Sequence, residues 1–157
     1  YLDVKGVQEL WAAFIELSDE FPEWELHCIG TGELWDKRAI HPKIIHHGFK
    51  QPHELEPHLV RAACFVMPSK KEPWGVVLHE MAIAGLPLLA TRHVGSATEF
   101  LMSKKNGFDF LTSNLVQEMK QLVQRSQAER KVMGEWSHEL GLRRSCEDWV
   151  ETLLKLS

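Results

Sequence analysis

The chain has 157 residues, the size of one ordinary domain. Its formal net charge of −4 comes from scattered acids and bases, and the lack of a basic stripe argues against nucleic acid as a partner. No signal peptide or membrane-length apolar run is visible, and three widely spaced cysteines (Cys28, Cys64 and Cys146) favour a reducing compartment over a disulfide framework.

Tyr1 to Lys5 has no initiator Met and reads as the middle of a longer chain. Val7 to Leu17 carries Val7, Leu10, Trp11, Phe14 and Ile15 at helical spacing, which predicts an amphipathic helix. Trp24 to Ile29 reads as a strand closed by Gly30. Glu33 to Ile40 is a short helical candidate, and Lys43 to His46 a brief strand before Gly48. Pro52 to Arg61 reads as a helix with Pro in its first turn. Ala63 to Met67 is an apolar strand followed by the loop Pro68 to Trp74. Gly75 to Ala84 is helical with Gly85 as its stop, and Leu86 to Ala90 is a buried strand in which Pro87 fits only at the start or at an edge. A short helix over Gly95 to Met102 and a strand over Gly107 to Leu111 follow. From Asn114, a plausible N-cap, the pattern is helical with breaks near Gly134 and Gly141.

Strands alternating with helices at this spacing predict an α/β fold, a Rossmann-like parallel sheet with helices on both faces. Ligands of such sheets bind outside the carboxyl ends of the strands. The most informative of those ends is Pro68 to Glu80. Glu72 stands in the loop and Glu80 in the helix beyond it. Between them, the first N–H groups of that helix, near Gly75, Val76 and Val77, lack intrahelical acceptors. With the helix dipole they make an anion site suited to a diphosphate. A carboxylate on each side accepts hydrogen bonds from vicinal hydroxyls of a ribose or a hexose. The helix is so apolar that Glu80 is expected near a buried surface, where an unpaired carboxylate is costly.

In order and spacing, this chain resembles the C-terminal domain of retaining glycosyltransferases of the GT-B fold, family 4. The resemblance rests on Glu72 to Ala82 (E-P-W-G-V-V-L-H-E-M-A) and the strand segment Ala84 to Thr91 (A-G-L-P-L-L-A-T). It extends to Val94-Gly95 with Glu99, Asn106-Gly107-Phe108, Lys5-Gly6-Val7, Ile29-Gly30-Thr31-Gly32 and His47-Gly48-Phe49. Ser96 stands where the family commonly has a second Gly.

The resemblance implies a single nucleotide-sugar-binding domain over 1–157, one half of a GT-B fold, with its first strand and the acceptor domain lying outside this sequence. It implies transfer of a hexose, with retention, from a UDP-sugar or GDP-sugar to a glycan or lipid-linked acceptor, as in polysaccharide biosynthesis. Lys5 would neutralise the donor diphosphate as charge builds on it, and Glu72 would hold the sugar hydroxyls. Gly75, Val76 and Val77 would offer N–H groups, Glu80 would bind the ribose, and Phe49 and Lys50 would lie near the base. No metal or other cofactor is expected. The location implied is cytoplasmic, compatible with peripheral association of the full-length protein at the inner face of a membrane, and this stretch alone is expected to be inactive. The alternative is a non-catalytic GT-B-like interaction domain that uses an apolar face around Trp149. A dinucleotide-binding oxidoreductase is disfavoured because no G-x-G-x-x-G joins a first strand to a helix.

Nine histidines invite a metal reading. His41, His46, His47, His53 and His58 straddle a strand, a turn and a helix without compact ligand spacing, so packing and capping roles are expected instead. His79 is expected on the surface. Trp74 either packs on the sugar or plugs its loop, and the other tryptophans are expected in packing roles.

Overall fold

The structure, a computed structural model, describes residues 1–144. Cys146 and the tail with Trp149, Val150, Leu153 and Leu154 lie outside the described residues. A 3-10 turn at Asp3–Lys5 opens onto α1 (Val7–Ser18), which buries Leu10, Trp11, Ala13, Phe14 and Leu17. Then come β1 (Leu26–Ile29), β2 (Ile44–Gly48), α2 (Glu56–Arg61), β3 (Phe65–Met67), α3 (Val76–Ile83), β4 (Leu88–Thr91), α4 (Ala97–Phe100), β5 (Gly107–Phe110), α5 (Leu115–Val123) and α6 (Gln127–Leu142).

All pairings between these strands are parallel, but the hydrogen-bonded ladder is in two parts, β1–β2 and β3–β4–β5, where one sheet was expected. One of two core clusters bridges them: Tyr1, Trp11, Phe14 and Ile44 pack with Leu89, Phe108, Phe110 and Leu115, while Phe100, Leu78 and Leu88 belong to the second, under α3. β4 is the central strand of its set and is buried throughout, as its unbroken apolar run requires. Pro87 sits immediately before it and only accepts, from the Phe65 N–H at 2.9 Å.

Several local expectations change. The candidate helix at Glu33 to Ile40 is only a 3-10 turn at Trp35–Lys37. Pro52 to Arg61 divides into a 3-10 turn and α2. Asn114 does not cap α5; its Oδ1 accepts from the Leu111 N–H behind it at 2.8 Å. The break in the last helical stretch falls at Gln124 to Ser126, where the Ser126 hydroxyl oxygen accepts from the Glu129 N–H and starts α6.

α6 runs unbroken through Gly134 and Gly141. Both glycines are there for close approach to α3. A Cβ at Gly134 would lie 2.2 Å from the Gly85 carbonyl oxygen, and one at Gly141 would lie 2.7 Å from the Ile83 nitrogen. Gly85 itself is left-handed and ends α3 in a Schellman motif, with Gly85 N–H on Ala82 O and Leu86 N–H on Met81 O. Gly134→Ala is therefore a test of sign. In an exposed helix the change gains about 1 kcal/mol; here it is expected to lose about 1–3 kcal/mol by forcing α6 away from α3. A gain in urea denaturation would sink the packing argument.

Candidate functional site

The carboxyl ends of β3 and β4 carry two loops that are tied together. The Thr91 hydroxyl donates to Ser69 O at 2.5 Å. Glu72 N–H donates to His93 O at 3.2 Å and Gly95 N–H to Glu72 O at 3.0 Å, so Glu72 and Val94 bridge as in a parallel ladder. A Cβ on Gly95 would lie 2.1 Å from Pro73 O, which explains the glycine. Ser96 is fully buried; its N–H reaches Trp74 O at 2.8 Å and its hydroxyl donates to Gly75 O at 3.0 Å. Where the family commonly has Gly, this serine thus fastens the N-cap of α3.

Gly75 takes the left-handed conformation (φ 91°) at that N-cap, and no side chain caps the helix; Leu78 N–H turns back to Gly75 O at 3.0 Å, and the Val76 and Val77 N–H groups before it stand at the uncapped end of α3. Lys5 and Glu72 are brought together across this end of the sheet as an ion pair, Nζ to Oε2, with Glu72 the more buried partner. Its approach depends on Gly6, whose φ is 64° and whose hypothetical Cβ would overlap Pro68 O at 2.0 Å. The Lys70 N–H donates to Val4 O at 2.8 Å and pins the same turn to the loop. Lys70 also contacts Glu9 at 2.7 Å and Asp3 at 2.9 Å, and these two carboxylates hold its ammonium above the usual lysine range. Sequence reading missed this trio because its members lie on two segments 61 or more residues apart.

Glu80 does not lie against a buried surface. It is exposed, as are Val76, Val77 and Ile83, because α3 buries only the face carrying Leu78, Met81 and Ala82. Val76 and Glu80, four residues apart, share the outward face that begins at the bare helix end. Phe49 is 67% exposed beyond the carboxyl end of β2, and Lys50 pairs with Glu54 at 3.2 Å. Trp74 sets its edge against Phe100 with 6.5 Å between ring centres, so it closes the loop. His79 is not a surface residue: it stacks flat on Phe100 at 4.1 Å and pairs through Nε2 with Gly141 O at 2.9 Å, joining α3 to α4 and α6.

Other family-like residues have structural work. Asn106 is buried, donates to Phe100 O at 2.8 Å and accepts from Met102 N–H at 2.7 Å; a Cβ on Gly107 would lie 1.7 Å from Leu88 O. Glu99 pairs with Arg144 at 3.0 Å. Cys28 and Cys64 are free thiols, pushed by burial to about 11 and about 12 respectively, and act as small apolar fillers. Among the described residues no helix is long and apolar enough to cross a membrane.

His46 has the packing role expected of it, against Tyr1, Trp11 and Trp35. His46 accepts from the Tyr1 hydroxyl at 3.0 Å on Nδ1 and reaches Ala39 O at 2.9 Å through Nε2. His47 and His58 come together with His27, which sequence proximity had not included. Burial, followed by the nearby His58, holds His47 below the usual imidazole range.

A sequence profile of the glycosyl transferases group 1 family matches residues 1–144. The crystal structure of TarM superposes with a TM-score of 0.87 at 19% identity, over 99% of this chain and 33% of that one. The pneumococcal O-GlcNAc transferase GtfA, solved with UDP and GlcNAc, gives 0.80 at 20% identity, over 99% and 33%. The C-terminal domain of a glycosyl transferase group 1 family protein (LpcC) from Francisella tularensis gives 0.78 at 20% identity, over 92% and 81%. The chain thus spans about a third of the length of TarM and GtfA. No curated protein matches it by sequence. The Rossmann-like half of a GT-B fold, with the profile matched across every described residue, places this chain in the glycosyl transferases group 1 family.

Proposed function

We propose that this chain is the donor-binding half of a glycosyltransferase that transfers a hexose, with retention, from a nucleoside diphosphate sugar to a glycan or lipid-linked acceptor. The observation that carries the reading is the convergence of Lys5 and Glu72 beside the bare N-terminus of α3. Cation and helix end together suit a diphosphate. When the diphosphate takes Lys5, Glu72 is released to accept sugar hydroxyls, and Lys5 stabilises the charge that builds on the leaving phosphate. Exposed Val76 and Val77 beside exposed Glu80 offer methyl groups and a carboxylate on one outward face, which suits a ribose lying along the helix. Phe49 and Lys50 flank the base. Lysine and helix dipole supply the positive charge, so the transfer itself needs no metal. The acceptor side belongs to another part of a longer protein, and this stretch alone transfers nothing.

UDP or GDP at ten times its Kd is expected to stabilise the chain by about 1.4 kcal/mol, roughly 3–6 °C in Tm for this size. Glu80→Ala should abolish that protection. In the full-length protein, Glu72→Gln should lower kcat by roughly 10²–10³-fold while nucleotide binding persists. Normal turnover by that variant would instead favour the non-catalytic interaction domain.

A further inference from the structure

The imidazoles of His27, His47 and His58 come from three elements, β1, β2 and α2, and their ligand atoms all lie within 4.8 Å of one another. The arrangement follows from the register of the two strands. Cys28 pairs with His46 but Ile29 pairs with Gly48, so His47 is the extra residue of a bulge. Bulges re-aim a side chain, and here His47 Nε2 lies 2.9 Å from His27 Nδ1, with the two rings stacked at 5.1 Å. His58, from the next helix, meets the His47 ring edge-on at 4.4 Å. The other nitrogen of His27, Nε2, lies 3.2 Å from Glu25 Oε2. A carboxylate accepting from that nitrogen keeps the ring proton on Nε2 and leaves Nδ1 with its lone pair free for a metal, the arrangement that orients metal-bound histidines.

We propose that His27, His47 and His58 form a binding site for a divalent transition metal of the zinc class, with Glu25 orienting His27. Three neutral imidazoles plus one solvent ligand meet the four-coordinate preference of Zn2+. At metal–nitrogen distances of about 2.0–2.1 Å, tetrahedral ligand nitrogens stand about 3.3 Å apart. The His27–His47 separation opens by a few tenths of an ångström to admit the ion, and His58 swings inward. His27 is exposed and the other two are half-buried, so these adjustments are free of core packing.

The site has a structural consequence. α2 has no buried residue of its own, so a metal held by His58 would join it to β1 and β2. His47 and His58 also bracket the segment with Phe49 and Lys50. On the proposed function, metal binding would therefore order the base-side loop without taking part in transfer.

The test uses untagged chain stripped with a chelator and titrated with Co2+, then Zn2+. One equivalent of Co2+ should give the visible bands of a tetrahedral nitrogen-rich site, Zn2+ should displace it, and Tm should rise. His27→Gln, which alters an exposed side chain, and His58→Gln should each weaken binding at least 100-fold, Glu25→Gln by roughly 10–100-fold, and His53→Gln should change nothing. Circular dichroism of the metal-free variants checks that they remain folded. Absent bands in the wild-type chain, or bands that survive in both His27→Gln and His58→Gln, would overturn the proposal. Nucleotide protection measured on metal-free protein reads the donor site separately.

Discussion

Phe100→Ala should lose about 3–5 kcal/mol of stability, the range for emptying a fully buried aromatic position. Phe100 has no exposed surface and sits among Leu78, Met81, Leu86, Leu88 and Val94. One ring face carries His79, whose Nε2 holds α6 through Gly141 O, and Trp74 packs against the ring at right angles. These partners come from α3, from β4 and the residues flanking it, and from the loop before α3, and together they enclose the ring fully, so the large cavity costs of enclosed sites are expected. The same ring lies behind the loop that presents Glu72, so donor protection should weaken with stability. Phe49→Ala is the matched control: that ring is 67% exposed, and a change within about 0.5 kcal/mol is expected. Urea denaturation measures both. A loss below about 1.5 kcal/mol at Phe100 would show that the neighbours close the gap.

Gly6→Ala should be the most damaging small substitution at the site, and its effect divides into two parts. A left-handed alanine costs about 1–2 kcal/mol. The added Cβ would also overlap Pro68 O at 2.0 Å, a backbone atom with no rotamer to yield, which adds about 1–3 kcal/mol or separates the two segments. Gly48→Ala isolates the first part: its φ is 72°, and the nearest atom to its Cβ is Trp35 Cη2 at an ordinary 3.7 Å. The Gly6 variant should therefore melt well below the Gly48 variant. It should also lose nucleotide protection while still folded, because Lys5 rides on the displaced turn. Equal Tm losses would mean that the approach to Pro68 matters little.

Much of the molecule was legible as sequence. The run Leu86 to Ala90 declared itself a buried strand because unbroken apolar residues suit a position covered on both faces, and β4 runs over Leu88–Thr91, buried throughout. Gly85 marked the end of α3 because a Schellman turn needs a residue that accepts positive φ. Glu72, Gly75 and Glu80 around one strand-loop-helix junction pointed to the candidate site, and the family resemblance added Lys5 to it. The strand run, the Gly85 stop and the Glu72-to-Glu80 segment are local signals, written in residues close to one another in the chain; the meeting of Lys5 with Glu72 is not.

What needed the tertiary structure was everything set by contacts distant in sequence. Gly134 and Gly141 looked like helix breaks, since glycine weakens an isolated helix; packed against α3, they are the positions where no side chain fits. The apolar character of α3 suggested a buried Glu80, but a helix covers only the face its neighbours reach, and Val76, Val77 and Glu80 face outward. His79 looked like a surface residue until Phe100 and Gly141 closed around it. His27 stands twenty residues from His47 and was not counted with it; a one-residue bulge in parallel register brings their nitrogens to 2.9 Å. Read alone, the chain of residues settled the class of fold and pointed to the segment from Pro68 to Glu80 as the candidate site. The tertiary structure alone decided which faces stay open and which distant side chains meet, because burial and register are properties of packed elements and not of any one segment.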